Sequence, residues 1–155
     1  MHLVAGHTPE SLPVLRELFV EYADATGLDF CFQKFDQELA ELPGRYAPPS
    51  GRLFVAMHDG RAAGCVALRK LEGATCEMKR LYVRPAFRGT GLGRELANEL
   101  IEDARDRGYR TMLLDTLASM SSARALYRDL GFVPVAPYYN NPLPGVMYMA
   151  LELGE

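Results

Sequence analysis

A glycine-rich stretch between two arginines is the part of the sequence whose composition most directly indicates chemistry. Residues 88–94 read Arg-Gly-Thr-Gly-Leu-Gly-Arg and precede a segment with helical periodicity. Glycines let a backbone approach a ligand closely, and the free N–H groups at a helix start attract anions. Arg88 and Arg94 add positive charge to the same loop. The stretch therefore predicts a cradle for a diphosphate group.

The spacing of the glycines restricts which diphosphate this cradle would hold. Gly89, Gly91 and Gly93 alternate with other residues, whereas a Rossmann dinucleotide fingerprint has two residues before its last glycine. The phosphate loop of nucleotide hydrolases needs a Gly-Lys pair, which this chain does not contain. A lone run of glycines also fits an ordinary helix start, so the interpretation depends on the neighbouring elements.

The segments before the loop have the pattern of three consecutive antiparallel strands. These strands are predicted at 53–58, 61–71 and 76–83. Asp59-Gly60 is a strong hairpin signal between the first two. Pro85 cannot join a strand ladder, so the third strand should end near Val83. A first strand at 3–6 and helices at 9–26 and 35–42 are expected before them.

The segments after the loop alternate between helix and strand. A helix from Leu92 to Gly108 and a helix over 121–130 are predicted, the second with Ser121 or Ser122 as its N-cap. Strands are expected at 110–116, 132–135 and 146–153. A strand–helix–strand order implies a parallel crossover. The whole pattern predicts a mixed α/β (α+β) fold in a single domain over residues 1–155.

Composition and charge exclude several classes of function. The chain has 155 residues, of which 48% are hydrophobic, and a net charge of −3. This charge gives no reason to expect nucleic acid as a partner. No apolar run approaches the roughly 20 residues of a membrane span, and the first residues lack a signal-peptide pattern. A cytoplasmic protein without a membrane partner is expected.

The cysteines and histidines give no indication of a metal site. Cys31, Cys65 and Cys76 form no Cys-x-x-Cys pair, and the three histidines lack metal-ligand spacing. We therefore expect reduced thiols and no bound metal.

Two motifs give the sequence a resemblance to a known family. Arg88, Gly91 and Gly93 match the signature Arg/Gln-x-x-Gly-x-Gly/Ala of the GCN5-related N-acetyltransferase (GNAT) family. Residues 123–132 resemble its second signature, Ala-x-x-Leu/Phe-Tyr-x-x-x-Gly-Phe. The resemblance covers nearly the whole chain and is strongest over 76–132. It implies a mixed, mostly antiparallel sheet with a splayed parallel strand pair and about four helices, and transfer of an acetyl group from acetyl-CoA to a primary amine.

The resemblance also implies how the cofactor would be held. The strands at 76–83 and 110–116 would splay apart around the pantetheine arm. A bulge on the first would let the Leu81 N–H polarise the thioester carbonyl, while Val83 would pair with the pantetheine amides. Family members often have Asn at the position of Met120, so Ser119 or Ser121 is expected to replace its contact. The implied cofactor-binding set is Leu81, Tyr82, Val83, Arg88, Gly89, Thr90, Gly91, Leu92, Gly93, Arg94 and Ser119.

Two residues are candidates for proton transfer. By family position, Tyr127 is the candidate general acid for the coenzyme A thiolate, and its alternative is a core aromatic on an amphipathic helix. Glu77 is the candidate base, acting directly or through water, and its alternative is an exposed strand carboxylate. Asp115, at the end of a strand, is as readily structural as catalytic.

The acceptor of this family approaches opposite the cofactor, here between segments 28–46 and 136–146. Aromatic faces with nearby carboxylates suit a cationic amine, and the short, proline-rich second segment favours a closed pocket. We therefore expect a small-molecule amine. The alternatives are a basic protein tail, a homodimer interface built by the aromatics, and an acyl-CoA sensor without turnover. The residues concerned are Phe30, Phe32, Phe35 and Tyr46 among four acids, and Tyr138, Tyr139, Asn140 and Asn141.

Overall fold

The computed structural model describes residues 2–26, 34–117 and 119–154. Within them, the strands are β1 His2–Ala5, β2 Arg52–His58, β3 Arg61–Lys70, β4 Thr75–Val83, β5 Thr111–Thr116, β6 Val133–Val135 and β7 Met147–Glu152. The α-helices are α1 Leu12–Thr26, α2 Phe35–Glu41, α3 Leu92–Asp106 and α4 Ser121–Asp129. The mixed α/β architecture predicted from the sequence is confirmed.

The seven strands form one sheet in the order β1-β2-β3-β4-β5-β7-β6. Among the strands of the described residues, only the central pair, β4 and β5, is parallel, and α3 connects these two strands as a crossover. All other neighbours pair antiparallel. The hairpin between β2 and β3 turns at Asp59 (φ 50°) and Gly60 (φ 75°), and two consecutive positive φ angles characterise the type I′ turn that its sequence predicts.

Buried side chains form one cluster on each side of the sheet. On the first side, α3 packs against the strands through a cluster that includes Leu96 and Leu100. On the second side, α1 packs through a cluster that includes Leu15 and Phe19. We call these the α3 face and the α1 face. Because successive side chains of a strand point to opposite faces, each central strand contributes to both clusters.

The start of α1 differs from the sequence-based prediction. The helix begins at Leu12 rather than at Pro9, because a turn at 8–11 comes first: the Ser11 N–H donates to the Thr8 carbonyl (3.0 Å) and hydroxyl (3.3 Å). Pro13 then occupies the second helical position, where its missing N–H costs nothing. Gly27, the residue that follows the predicted helix 9–26, lies outside the described residues.

The N-cap of α4 is also not a serine. The Met120 carbonyl accepts the Arg124 N–H at 2.9 Å, which makes Met120 the N-cap, with no side-chain cap. Ser121 and Ser122 therefore lie in the first turn instead of before it, and the prediction that one of them caps the helix is wrong.

Cys65 and Cys76 are buried free thiols, whereas Cys31 lies outside the described part of the chain. Among the helices of residues 2–26, 34–117 and 119–154, none has the length and apolar character that crossing a bilayer requires.

Candidate active site

The parallel pair β4–β5 separates at one end and opens a cavity. Paired residues run from Thr75–Thr111 to Glu77–Leu113, but β4 continues to Val83 and β5 to Thr116. The diverging ends line a cavity of about 530 Å³. The splayed strand pair implied by the resemblance is therefore present. A cleft between separated strands leaves backbone groups free to bind an extended ligand.

A bulge in β4 lies at the mouth of this cleft. The register between β3 and β4 shifts between Cys65 and Ala67, and Arg80 has a left-handed φ of 58°. A non-glycine residue in this region costs on the order of 1–3 kcal/mol and persists only where its surroundings hold it. Arg80 and Leu81 are skipped in the β3–β4 register, so the Leu81 backbone is available to the cavity that it lines.

A buried ion pair holds the bulge in place. The guanidinium of Arg80 donates to both carboxylate oxygens of Glu38, each at 3.0 Å. It also lies 5.7 Å from the ring centroid of Tyr22 and 5.4 Å from that of Phe35. The Arg80 side chain is 2% exposed and that of Glu38 14%, so this pair is shielded from solvent.

Removal of Glu38 is expected to destabilise the protein strongly. In Glu38→Ala the Arg80 charge stays buried without its main counter-charge, and breaking a buried pair in this way costs about 3–5 kcal/mol. Asp36→Ala is the matched control, because Asp36 is an exposed acid two residues before Glu38 on α2. This variant should change stability little. Urea unfolding measures both, and equal stability of the two variants would contradict the role given to this pair.

The glycine-rich loop adopts the backbone conformation that its sequence predicts. Gly89 (φ 79°) and Gly91 (φ 84°) are both left-handed, and Gly91 is the N-cap of α3 without a side-chain cap. A Cβ atom at either glycine would meet no atom within 4 Å. The open backbone beside a helix N-terminus is a geometry that binds diphosphate oxygens.

The two arginines of the loop are placed differently. Arg88 lines the cavity, donates from Nε to the Val83 carbonyl at 3.0 Å, and lies over the Tyr82 ring. Arg94 instead pairs with Asp129 at 3.0 Å on the surface. The predicted cofactor-binding residues that line the cavity are Leu81, Tyr82, Val83, Arg88, Gly89, Gly91, Leu92, Gly93 and Ser119, whereas Thr90 and Arg94 do not.

Tyr127 projects from α4 into the cavity wall on the α3 face. It is buried, and its ring packs edge-on against Phe132 with centroids 5.7 Å apart. Its hydroxyl has no hydrogen-bond partner among residues 2–26, 34–117 and 119–154. Burial raises the pKa of Tyr127 above its ordinary value, so the phenol is protonated at neutral pH. Tyr127 is thus a core aromatic that also borders the cavity, and its role as general acid stays a prediction.

The position of the family asparagine is filled by Met120, whose sulfur accepts a hydrogen bond from the Thr116 hydroxyl at 3.8 Å. Ser119 and Ser121, the two expected replacements, both line the cavity. Either hydroxyl is therefore placed to contact a ligand there.

Glu77 is completely buried and does not line the cavity, so the alternative of an exposed strand carboxylate is wrong. One carboxylate oxygen accepts from Arg69 Nε at 2.6 Å, and the other accepts from the Tyr138 hydroxyl. Both oxygens are thus occupied. The role of Glu77 as base stays a prediction, and it requires an intervening group to reach the acceptor.

Asp115, on β5, lines the cavity and binds the loop between β6 and β7, to which Tyr138 also belongs. Its Oδ2 atom accepts from the Tyr139 hydroxyl and from Asn141 Nδ2, the latter at 2.7 Å. Its Oδ1 atom accepts no hydrogen bond within the described chain. Three side chains of the β6–β7 loop thus fasten it to Glu77, the last paired residue of β4, and to Asp115, on the diverging end of β5.

The aromatic side chains of the first acceptor segment that the structure describes, Phe35 and Tyr46, lie away from the cavity. Phe35 contacts Arg80, and Tyr46 is buried with its hydroxyl on Glu38 at 3.0 Å; neither lines the cavity. Asp29, Phe30 and Phe32 lie outside the described residues. In the described ranges, no three histidine, cysteine or acidic side chains cluster as a metal site.

Lys79 is a site residue that sequence reasoning missed. It lines the cavity with only 6% of its surface exposed, and burial lowers the pKa of its ammonium group to about 8. The strand Thr75–Val83 carries three charged residues, Glu77, Lys79 and Arg80, and nothing in its sequence distinguishes the lysine that lines the cavity from the two that are paired. Charged residues are almost never fully buried without a partner, so the burial seen in the structure is what gives Lys79 a functional interpretation.

Comparison with known proteins identifies the family. The model of the acetyltransferase (GNAT) family matches residues 13–132. An uncharacterized N-acetyltransferase of Schizosaccharomyces pombe is 44% identical over 149 residues, covering 95% of this chain and 91% of that protein. The chain therefore belongs to the GNAT family, and it is an acetyl-CoA-dependent N-acetyltransferase.

Two further similarities are more distant. The N-acetylaspartate synthetase of Homo sapiens is 35% identical over 120 residues, which are 76% of this chain but 39% of that protein. The crystal structure of a GNAT acetyltransferase from Staphylococcus aureus matches with a TM-score of 0.81 at 16% identity, covering 98% of both chains. The latter shows that the two proteins share a fold.

Proposed function

We propose that this protein transfers the acetyl group of acetyl-CoA to the primary amine of a small molecule. The observation that carries the proposal is the attachment of the β6–β7 loop over the acceptor side of the cavity. Tyr138 donates to Glu77 where the pairing of β4 with β5 ends, and Tyr139 donates to Asp115, which lines the cavity from β5. A loop fastened at both strands favours an enclosed pocket over an open groove for a peptide.

The residues present fit the cofactor. Gly89, Gly91 and the uncapped start of α3 offer backbone N–H groups to a diphosphate, and Arg88 adds a positive charge beside them. Bound acetyl-CoA supplies the activated thioester. In this proposal the Leu81 N–H, which the bulge leaves outside the β3–β4 register, would polarise its carbonyl, and the Val83 backbone, whose carbonyl accepts from Arg88 Nε in this structure, would pair with the pantetheine amides.

The two proton transfers of the reaction, to the leaving thiolate and from the acceptor amine, are assigned to residues on opposite faces of the sheet. On the α3 face, Tyr127 donates a hydrogen bond to the leaving thiolate. On the α1 face, the acceptor amine must lose protons before and during attack, and the carboxylates of Asp115 and Glu77 lie on this side. Asp115 borders the cavity directly, whereas Glu77 would act through water or through Tyr138.

One relative also favours a small acceptor. The name N-acetylaspartate synthetase describes a product that is a small amino acid derivative. This similarity supports the same class of acceptor here.

The size of the acceptor is tested by comparing initial rates on a panel of small primary amines with rates on peptides that carry a lysine or a free amino terminus. We expect kcat/KM to be at least about tenfold higher for the best small amine, since an enclosed pocket excludes the peptide backbone. Peptides that react far better than every small amine would refute the enclosed pocket.

A further inference from the structure

A buried lysine faces the acceptor side of the cavity. Lys79 pairs across the β3–β4 ladder with Ala67, which belongs to the α1-face cluster, so its side chain lies on the α1 face. This is the face to which α1, α2 and the β6–β7 loop contribute. Tyr127 and the α3 cluster lie on the opposite face. Lys79 is therefore separated from the group assigned to the leaving thiolate.

Lys79 has no hydrogen-bond or ion-pair partner in residues 2–26, 34–117 and 119–154. The nearby acids are engaged elsewhere: Glu77 with Arg69 and Tyr138, and Glu38 with Arg80. At neutral pH, below its pKa of about 8, the side chain is mainly an ammonium ion. Glu77 and Asp115 attract this cation through space, but no carboxylate of the described residues contacts it, so an anionic group of a ligand that reached it would be stabilised.

Asp115 offers the complementary charge on the next strand. It alternates with Leu114, which is buried on the α3 face, so Asp115 projects to the α1 face beside Lys79. Both residues line the same cavity, and Asp115 Oδ1 is free of hydrogen bonds from the described chain. A cation and a carboxylate on adjacent strands match the two charges of a zwitterion.

We propose that the acceptor is a small amine that carries a carboxylate, such as an amino acid, with its carboxylate bound by Lys79 and its amino group directed to Asp115. The inference rests on the proposed function and specifies its substrate class. Arg80 contributes little attraction for an anion because Glu38 already neutralises it. Arg88, which also lines the cavity, is assigned to the diphosphate, so Lys79 supplies the positive charge for a carboxylate on the acceptor side.

The test uses matched acceptors that differ only in this charge. Initial rates are measured for L-amino acids, for their α-amides, and for the amines that lack the carboxyl group, with wild type, Lys79→Met and Lys79→Arg. Methionine keeps the length and removes the charge, while arginine keeps the charge and cannot act as a base. Circular dichroism and acetyl-CoA affinity establish that each variant is folded and still binds the cofactor.

We expect the best acceptors of wild type to carry a carboxylate. Lys79→Met should lower kcat/KM for them by about 30-fold or more, which is the cost of leaving one partner of a buried charge pair unpaired, and should lower kcat/KM for the amides far less. Lys79→Arg should keep the preference for the carboxylate. A second, binding readout is thermal stabilisation of wild type by an amino acid but not by its amide.

Three results would overturn the inference. The best acceptor could lack a carboxylate, Lys79→Met could lower all rates by the same factor, or it could weaken acetyl-CoA binding instead. In all three cases, small amines would still be acetylated and the proposed function would stand. If only peptides are acetylated, the proposed function itself fails, and the inference fails with it.

Discussion

Gly91→Glu is expected to abolish coenzyme A binding while the protein stays folded. The substitution places a side chain and a negative charge at the backbone cradle where the diphosphate would bind, and two like charges in contact repel each other. Gly91 also has φ 84°, so a side chain there adds a strain of about 1–2 kcal/mol. A stable domain tolerates that strain, because a Cβ atom at this position meets no neighbouring atom.

Gly108→Glu is the matched control for this variant. Gly108 follows the other end of α3, has φ 89°, and likewise has open space around its Cβ position. It therefore carries similar backbone strain and the same added charge, but it does not line the cavity. Calorimetry should detect coenzyme A binding by Gly108→Glu and none by Gly91→Glu. Undiminished binding by a folded Gly91→Glu protein would remove the cradle assignment.

The second large effect is expected from Tyr127→Phe. If the Tyr127 hydroxyl stabilises and protonates the departing thiolate, its removal should lower kcat by roughly 10²–10⁴-fold, the usual contribution of a positioned acid. Affinity for acetyl-CoA should change little, because the ring and its contact with Phe132 remain. The raised pKa of Tyr127 keeps the proton in place throughout the neutral range, so this donor is available at physiological pH.

Tyr109→Phe provides the comparison for loss of a tyrosine hydroxyl as such. The Tyr109 hydroxyl donates to the Ser50 carbonyl at 2.6 Å and does not line the cavity. This variant should lose some stability and keep its kcat. Pre-steady-state kinetics must first establish that chemistry limits turnover. An unchanged kcat in Tyr127→Phe under that condition would reduce Tyr127 to a core aromatic.

The features that sequence analysis predicted correctly depend on local patterns. Asp59-Gly60 forms the type I′ turn because those two residue types tolerate positive φ, and Gly91 caps α3 for the same reason. The order of strands and helices follows from periodicity in the same way. These signals involve neighbouring residues, so they are present in the sequence itself.

The features that were missed depend on contacts between distant segments. Glu77 is buried because Tyr138, 61 positions away, and Arg69 both bind its carboxylate. Phe35 contacts Arg80 on β4 rather than facing the cavity because the bulge directs that guanidinium toward α2. Neither pairing has a local signature, so the sequence alone left more than one interpretation open for a carboxylate on a strand and for a phenylalanine at the start of a helix.

The central claim is that this protein catalyses amine acetylation rather than only binding an acyl-CoA. The direct measurement is the release of free thiol after the protein is mixed with acetyl-CoA and a panel of small amines that includes amino acids. We predict thiol release that depends on the amine and is lost in Gly91→Glu, with the N-acetylated amine identified by mass spectrometry. Tight binding of acetyl-CoA without amine-dependent thiol release would contradict the account and would describe an acyl-CoA sensor instead.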